Sequence, residues 1–267
     1  ACTAAEVGCN TFLLEKGNEL GGLASLISKI PAKNRLADFP HYLMHRAEQL
    51  DNLYIFKNTE GTPENIRKFH PNIIVSSTGS APLLPPIAGL KDRIDNENHN
   101  IYSILGMISH INDFPKDLEG KKVVVVGGGA VGLDVVEFFA DRNADISIVE
   151  MMDQIGRDLD PVSKNDTKTM MKKHNVHQLT KTALLEVKDS SFLVKGEGEP
   201  YELPFEYGFV CLGMRAQGQL YQNLTEEFSS EDVEIMNIGD SQRARRIIDG
   251  TQEGRNILTV LEQKGYL

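Results

Sequence analysis

The sequence predicts an α/β protein built on parallel strands, and three observations carry that reading. The run Lys121–Val126 has the character of a buried strand. It breaks into Gly127-Gly128-Gly129-Ala130-Val131-Gly132 and then into a helix with Val135, Val136, Phe138 and Phe139 on its apolar side. A second apolar run, Ile146–Val149, ends in Glu150. The same order of helix, strand and acid recurs at the start of the chain, where Ala1–Val7 reads as a helix stopped by Gly8 and Asn10–Leu14 as a strand ending in Glu15. Continuous Val/Ile strands alternating with helices mark a parallel sheet covered on its faces.

The segment 121–150 carries the most chemistry. G-x-G-x-x-G alone is weak evidence; placed between a strand and a helix, with an acid at the tip of the next strand, it is specific for a dinucleotide. Gly127 suits the tight turn out of the strand, Gly129 lets backbone N–H groups approach a pyrophosphate, and Gly132 lets the helix lie close on the strand. Ala130 and Val131 supply N–H donors at the helix start, where the partial positive charge favours an anion. Glu150 suits the adenosine ribose hydroxyls and repels a 2′-phosphate, which predicts NADH rather than NADPH. The competing reading is a glycine-rich turn that binds nothing.

Around this segment the elements follow in order. Lys16–Gly22 is a turn-rich loop, residues 34–50 read as a helix, and Leu53–Phe56 as a short strand. Ile73–Ser77 is a buried strand closed by Thr78-Gly79-Ser80 and a proline-rich stretch to Gly89. Residues 91–119 read as a polar connector until Ile104–Ile111. After Glu150 a helix is expected at 161–174, then short strands at 183–187, 192–194, 201–203 and 207–211, forming a meander. From 212 the chain reads as loop until the strand Val233–Ile238, closed by Gly239-Asp240. The remainder, Ser241–Leu267, reads as helical with a break near Gly250 or Gly254. The opening pattern at 1–15 calls for a preceding strand and glycine turn, so the chain is read as a fragment.

In several separate motifs the chain resembles the C-terminal electron-transfer part of the 2,4-dienoyl-CoA reductase and 2-enoate reductase group. These are NADH:flavin oxidoreductases fused to an old-yellow-enzyme-type barrel. The motifs are Leu13-Leu14-Glu15-Lys16 with Leu20-Gly21-Gly22, Asn58-Thr59-Glu60 with Thr62-Pro63-Glu64, Ser77–Ser80, Pro85–Gly89, the glycine turn at 127–132, and Ile238-Gly239-Asp240 with Arg246-Ile247-Ile248. The resemblance implies two Rossmann-like nucleotide-binding domains. The FAD-type one is discontinuous, residues 1–112 and 215–267, and lacks its first strand and glycine loop; an NAD(H) domain, 113–214, is inserted between its parts. It further implies that Glu15, with Lys16 and Gly22, serves the FAD adenosine, that Thr78 and Gly79 cross near the flavin pyrophosphate, and that Asp240 holds a ribityl hydroxyl. Gly213 then belongs to the second crossing, on the nicotinamide side. Ordinary readings stand beside these: Glu15 as a solvated strand end, Thr78–Ser80 as a plain turn, Asp240 as a helix cap. FMN, an iron–sulfur cluster and the proton donor belong to the barrel, so no catalytic residue carries over to this chain. With the first FAD loop missing, FAD is expected to bind poorly.

Composition narrows the alternatives. At 267 residues the chain has room for two domains. A formal net charge of −10 argues against a nucleic-acid partner. No apolar run reaches the roughly 18–20 residues of a membrane span. Cys2, Cys9 and Cys211 show neither C-x-x-C nor metal spacing, which points to a reducing cytoplasm and away from a dithiol site. His41 with His45, and His174 with His177, lack further ligands and predict no metal. Arg243, Arg245 and Arg246 read as a solvated basic face. The expected function is hydride transfer from NADH to FAD and on to the barrel. The alternatives are a free-standing NADH oxidase or disulfide reductase, and a non-catalytic nucleotide-binding module.

Overall fold

A computed structural model describes residues 1–267 as an α/β chain in two compact units. One comprises residues 1–28, 33–81 and 214–267, the other residues 29–32 and 82–213.

In the first unit α1 (Cys2–Glu6) turns at Gly8 into β1 (Thr11–Leu14). Then come α2 (Gly22–Ile27), a 3-10 segment at Pro31–Ala37, α3 (Asp38–Ala47) and β2 (Leu53–Phe56), which pairs parallel with β1 with Thr11 opposite Leu53. Leu13 and Ile55 pack with Ala5, Ala47 and Leu53 on one face of this pair. Strand alternation puts Phe12, Tyr54 and Phe56 on the other, where Phe69 lies 4.8 Å from Phe12 and 5.3 Å from Phe56. Next, α4 (Pro63–Arg67) starts at Thr62, whose hydroxyl accepts the Asn65 N–H, with proline at the first turn. β3 (Ile73–Ser76) and β4 (Ser80–Pro82) close this part.

The second unit opens with α5 (Leu90–Arg93), β5 (Ile101–Tyr102) and α6 (Ile104–Ser109). The stretch read as a polar connector thus contributes a strand and two helices; Leu90, Ile101 and Met107 are fully buried. β6 (Lys122–Val126), α7 (Ala130–Ala140), β7 (Asp145–Val149), α8 (Pro161–Lys173) and β8 (His177–Leu179) form the βαβαβ core. The strands β9 (Ala183–Val187), β10 (Ser191–Lys195) and β11 (Tyr201–Pro204) make an antiparallel meander, which the chain leaves through β12 (Tyr207–Val210). The expected fourth meander strand is therefore a correction. β12 runs parallel beside β6 in a five-stranded sheet ordered β5-β12-β6-β7-β8. The cause is burial: Phe209 is fully buried and meets Phe139 at 4.8 Å, a contact only the central sheet provides. Burying such a ring contributes about 1.5–3 kcal/mol.

Back in the first unit, β13 (Met214–Ala216) pairs with β4. The stretch expected as loop then forms α9 (Gln219–Glu227), followed by β14 (Glu234–Asn237), α10 (Ile247–Arg255) and α11 (Ile257–Gln263). α9 exists because Leu220, Leu224 and Phe228, each one turn apart, pack on Ile74 and Ile235. The final helix breaks at Asn256 rather than at a glycine. Gly250 stays within α10, and a Cβ there would stand 3.4 Å from the Gly239 Cα, an ordinary van der Waals contact.

Besides the β4–β13 pair, the strands of this unit form two separate parallel pairs, β1–β2 and β3–β14. The Thr11 and Glu15 amides donate to Asn52 and Phe56, while Glu234 and Ile238 donate to Asn72 and Ser76. By alternation, the backbone groups of Phe12, Leu14, Ile73 and Val75 lie on strand edges that have no partner.

Candidate functional site

The glycine turn between β6 and α7 is set by backbone crowding. Gly127 has φ +109°, and a Cβ there would overlap the Cys211 carbonyl. A Cβ on Gly132 would overlap the Gly127 carbonyl, so both positions demand glycine for packing. Gly129 differs. Its φ of −79° suits any residue, and an added Cβ would meet nothing closer than Asp158 Oδ2 at 3.8 Å. The open side of Gly129 is the space a bound pyrophosphate needs, and the first N–H groups of α7 border it. These residues fit a dinucleotide.

Glu150 stands at the end of β7 beside this turn. Its Oε2 accepts the Gly128 N–H at 2.7 Å and its Oε1 the Met152 N–H at 2.8 Å. The carboxylate is thereby held in one orientation, and each oxygen keeps a lone pair for a ribose hydroxyl. Beyond Glu150 the chain folds back onto the turn: the Gly156 N–H donates to the Gly128 carbonyl at 2.7 Å. Sequence reasoning missed this tie, and the only signal for it is Gly156 itself, at φ +66° and buried. Gly213, at φ +100°, accepts the Leu83 amide at 2.9 Å.

The other predicted residues lie in the first unit. Glu15 follows β1 and accepts the Gly17 amide at 2.6 Å. Lys16 pairs with Glu60 at 3.0 Å in solvent, and Gly22 begins α2 at φ +51°. The Thr78 hydroxyl donates to the Gln217 carbonyl at 2.6 Å, and Gly79, at φ +75°, accepts the Gln217 amide at 2.9 Å. Asp240 accepts from the Ser80 hydroxyl and the Arg245 amide, both at 3.0 Å. Glu253, absent from the sequence reading, organises this corner. It accepts the Gly239 amide at 2.6 Å and pairs with Arg245, and these bonds hold its carboxyl below the usual range. Arg245 is therefore engaged rather than part of a free basic face. Glu15, Thr78 and Asp240 are polar groups at strand ends, but no strand of the first unit leads through a G-x-G-x-x-G turn into a helix. On its own, this set does not fit FAD.

Redox thiol chemistry has no support in this arrangement. All three cysteines are free, and burial pushes the Cys211 thiol up to about 12. A thiol so protonated is a poor nucleophile. Cys211 is expected to resist a small thiol reagent at neutral pH until the chain is unfolded; fast modification of Cys211 in the folded chain contradicts this. No group of three His, Cys, Asp or Glu side chains is placed to hold a metal. No helix is long and apolar enough to cross a membrane.

Comparison with known proteins gives the family of the chain. Residues 43–236 match the family model described as pyridine nucleotide-disulphide oxidoreductase. The chain is 26% identical over 255 residues to an NADH oxidase of Thermoanaerobacter brockii, covering 95% of this chain and 38% of the relative. It is 26% identical over 292 residues to a metal reductase of Desulforamulus reducens, covering 96% and 41%. The chain thus spans about two fifths of the length of these relatives. In fold it is similar to a 2-naphthoyl-CoA reductase, with a TM-score of 0.79 at 22% identity, over 95% of this chain and 37% of that one. A histamine dehydrogenase from Rhizobium sp. 4-9 gives 0.77 at 15% identity, over 96% and 39%. The chain belongs to the pyridine nucleotide-disulphide oxidoreductase family, as an oxidoreductase domain of the flavin- and NAD-dependent type.

Proposed function

We propose that this chain is the electron-transfer module of a larger flavoprotein. In that protein, hydride from NADH bound here would pass by way of FAD, which the residues of this chain alone do not fit, to an old-yellow-enzyme-type barrel where an activated alkene of the enoate or enoyl-CoA type is reduced. The FMN and iron–sulfur cluster of that group belong to the barrel, and the three free cysteines favour a cytoplasmic protein. The observation that carries the reading is the β6–turn–α7 geometry with Glu150 fixed beside it. The similarity to much longer reductases supports a partner domain.

Nicotinamide supplies the hydride; the protein supplies binding and orientation. The α7 amides receive the pyrophosphate, and Glu150 accepts from the adenosine ribose. The family's thiol chemistry is not proposed, because Cys211 is buried and protonated.

Titration of the chain with NADH, NADPH and ADP-ribose tests this directly. NADH is expected to bind at least 10-fold more tightly than NADPH. The Glu150→Gln variant is expected to weaken NADH several-fold and to shrink that preference, because a neutral amide no longer repels the 2′-phosphate. Equal NADH and NADPH affinity in the unaltered chain overturns the role of Glu150. Failure of all three ligands to bind overturns the dinucleotide reading.

A further inference from the structure

The amides of the glycine turn are not equally available. Gly127 N–H donates to the Val149 carbonyl at 2.8 Å, and Gly128 N–H donates to Glu150 Oε2 at 2.7 Å. A pyrophosphate is therefore left with Gly129, Ala130 and Val131, the entry to α7, an 11-residue helix. The segment after Glu150 is anchored over this entry. Gly156 holds the Gly128 carbonyl, Ile155 Cγ1 lies 3.1 Å from where a Cβ on Gly128 would stand, and Leu159 and Leu133 close around Gly156. Asp158 extends from that anchored segment, exposed, with its Oδ2 at 3.8 Å from the Cβ position of Gly129. A carboxylate thus borders the same open space that the pyrophosphate must enter.

Resting on the dinucleotide reading, we propose that Asp158 is an affinity-setting residue whose negative charge loosens every pyrophosphate ligand of this site. Its role is distinct from that of Glu150. Glu150 reads the ribose at the far end of the adenosine and separates NADH from NADPH. Asp158 sits at the helix entry and weakens NADH, NAD⁺ and ADP-ribose alike, while leaving adenosine untouched. Two charges this close are only partly screened, since the Debye length at physiological salt is about 8 Å. The attraction of the helix terminus for the pyrophosphate is thereby partly offset. Oxidised and reduced cofactor share the pyrophosphate, so both are released faster, which suits a module that must exchange its cofactor at every turnover.

The experiment is calorimetric titration of the full chain and of the Asp158→Asn and Asp158→Lys variants with ADP-ribose, NADH and adenosine, at low and high salt. Asp158→Asn is expected to tighten ADP-ribose and NADH about 3- to 10-fold, and Asp158→Lys to tighten them further. The gain is expected to shrink at high salt, and adenosine is expected not to respond. Unchanged or weaker ADP-ribose binding in Asp158→Asn overturns the proposal, the latter outcome marking Asp158 as a hydrogen-bond acceptor for the ligand. Equal tightening of adenosine also overturns it. If neither the unaltered chain nor any variant binds ADP-ribose, the dinucleotide reading itself falls, and this inference falls with it.

Discussion

Gly129→Ala is expected to fold normally and to bind dinucleotide much more weakly, whereas Gly127→Ala and Gly132→Ala are expected to lose stability as well as binding. The three positions belong to one motif but differ in what surrounds them. An alanine Cβ at 132 drives into the Gly127 carbonyl, which is backbone and cannot swing aside. Relief requires α7 to lift from β6, and overpacking of that kind costs about 1–3 kcal/mol or more. At 127 the Cβ meets the Cys211 carbonyl, and φ +109° adds strain for any L side chain, so the total is expected near 3–5 kcal/mol. That is a large share of a domain stability of about 5–15 kcal/mol. It should lower the melting temperature by roughly 6–20 °C. At 129 the backbone is ordinary and the neighbourhood open, so the melting temperature should move by no more than about 2 °C. The methyl group nevertheless fills the space a pyrophosphate must occupy, and ADP-ribose affinity is expected to fall at least 10-fold. Thermal denaturation and titration of the three variants check the pattern. Full ADP-ribose affinity in Gly129→Ala would show that the pyrophosphate does not lie there.

This division shows what the sequence could reveal. The β6–turn–α7–β7 core was legible because each residue type there answers a local demand: a run of valines for a strand buried on both faces, and glycine where a Cβ would strike backbone. Glu150 was legible from its place at a strand tip. The bonds that position it were not, because the return of Gly156 to Gly128 depends on how the loop packs rather than on any periodicity. Glu253 escaped for a related reason. It reaches Gly239 from a separate helix, and a glutamate on α10 reads as an ordinary solvated residue. β12 was misplaced because the short run Tyr207–Val210, which has no polar residue, suits a meander strand as well as a central one. Only the burial of Phe209 against Phe139 decides between them. α9 was read as loop because its apolar residues are separated by polar ones, and its partners Ile74 and Ile235 lie on distant strands.

The chain as it stands is expected to purify with little or no flavin, below about one tenth of stoichiometric, even after incubation with excess FAD. Glu15, Thr78 and Asp240 keep acceptor capacity for an adenosine and a ribityl chain beside their present partners, Glu15 beside the Gly17 amide, Thr78 beside the Gln217 carbonyl and Asp240 beside Ser80 and Arg245, but such polar groups alone hold a dinucleotide weakly. The strongest term in holding such a cofactor is a glycine turn that delivers its pyrophosphate to a helix terminus, and the first unit has no G-x-G-x-x-G turn. The two parallel pairs of that unit compound the loss. A parallel sheet gains its stability from several strands covered on both faces. Here Phe12, Tyr54 and Val75 stay 41%, 45% and 40% exposed, and the edges of β1 and β3 keep unpaired backbone groups. Local opening of these pairs is expected to compete with cofactor binding, while the five-stranded sheet of the other unit stays closed. Hydrogen exchange should therefore find Leu13 and Val75 exchanging far faster than Val124 and Ile148. Flavin absorbance per mole of chain gives the direct answer. Stoichiometric, tightly held FAD would show that the polar groups at the strand ends suffice, and would make this chain a complete acceptor for NADH.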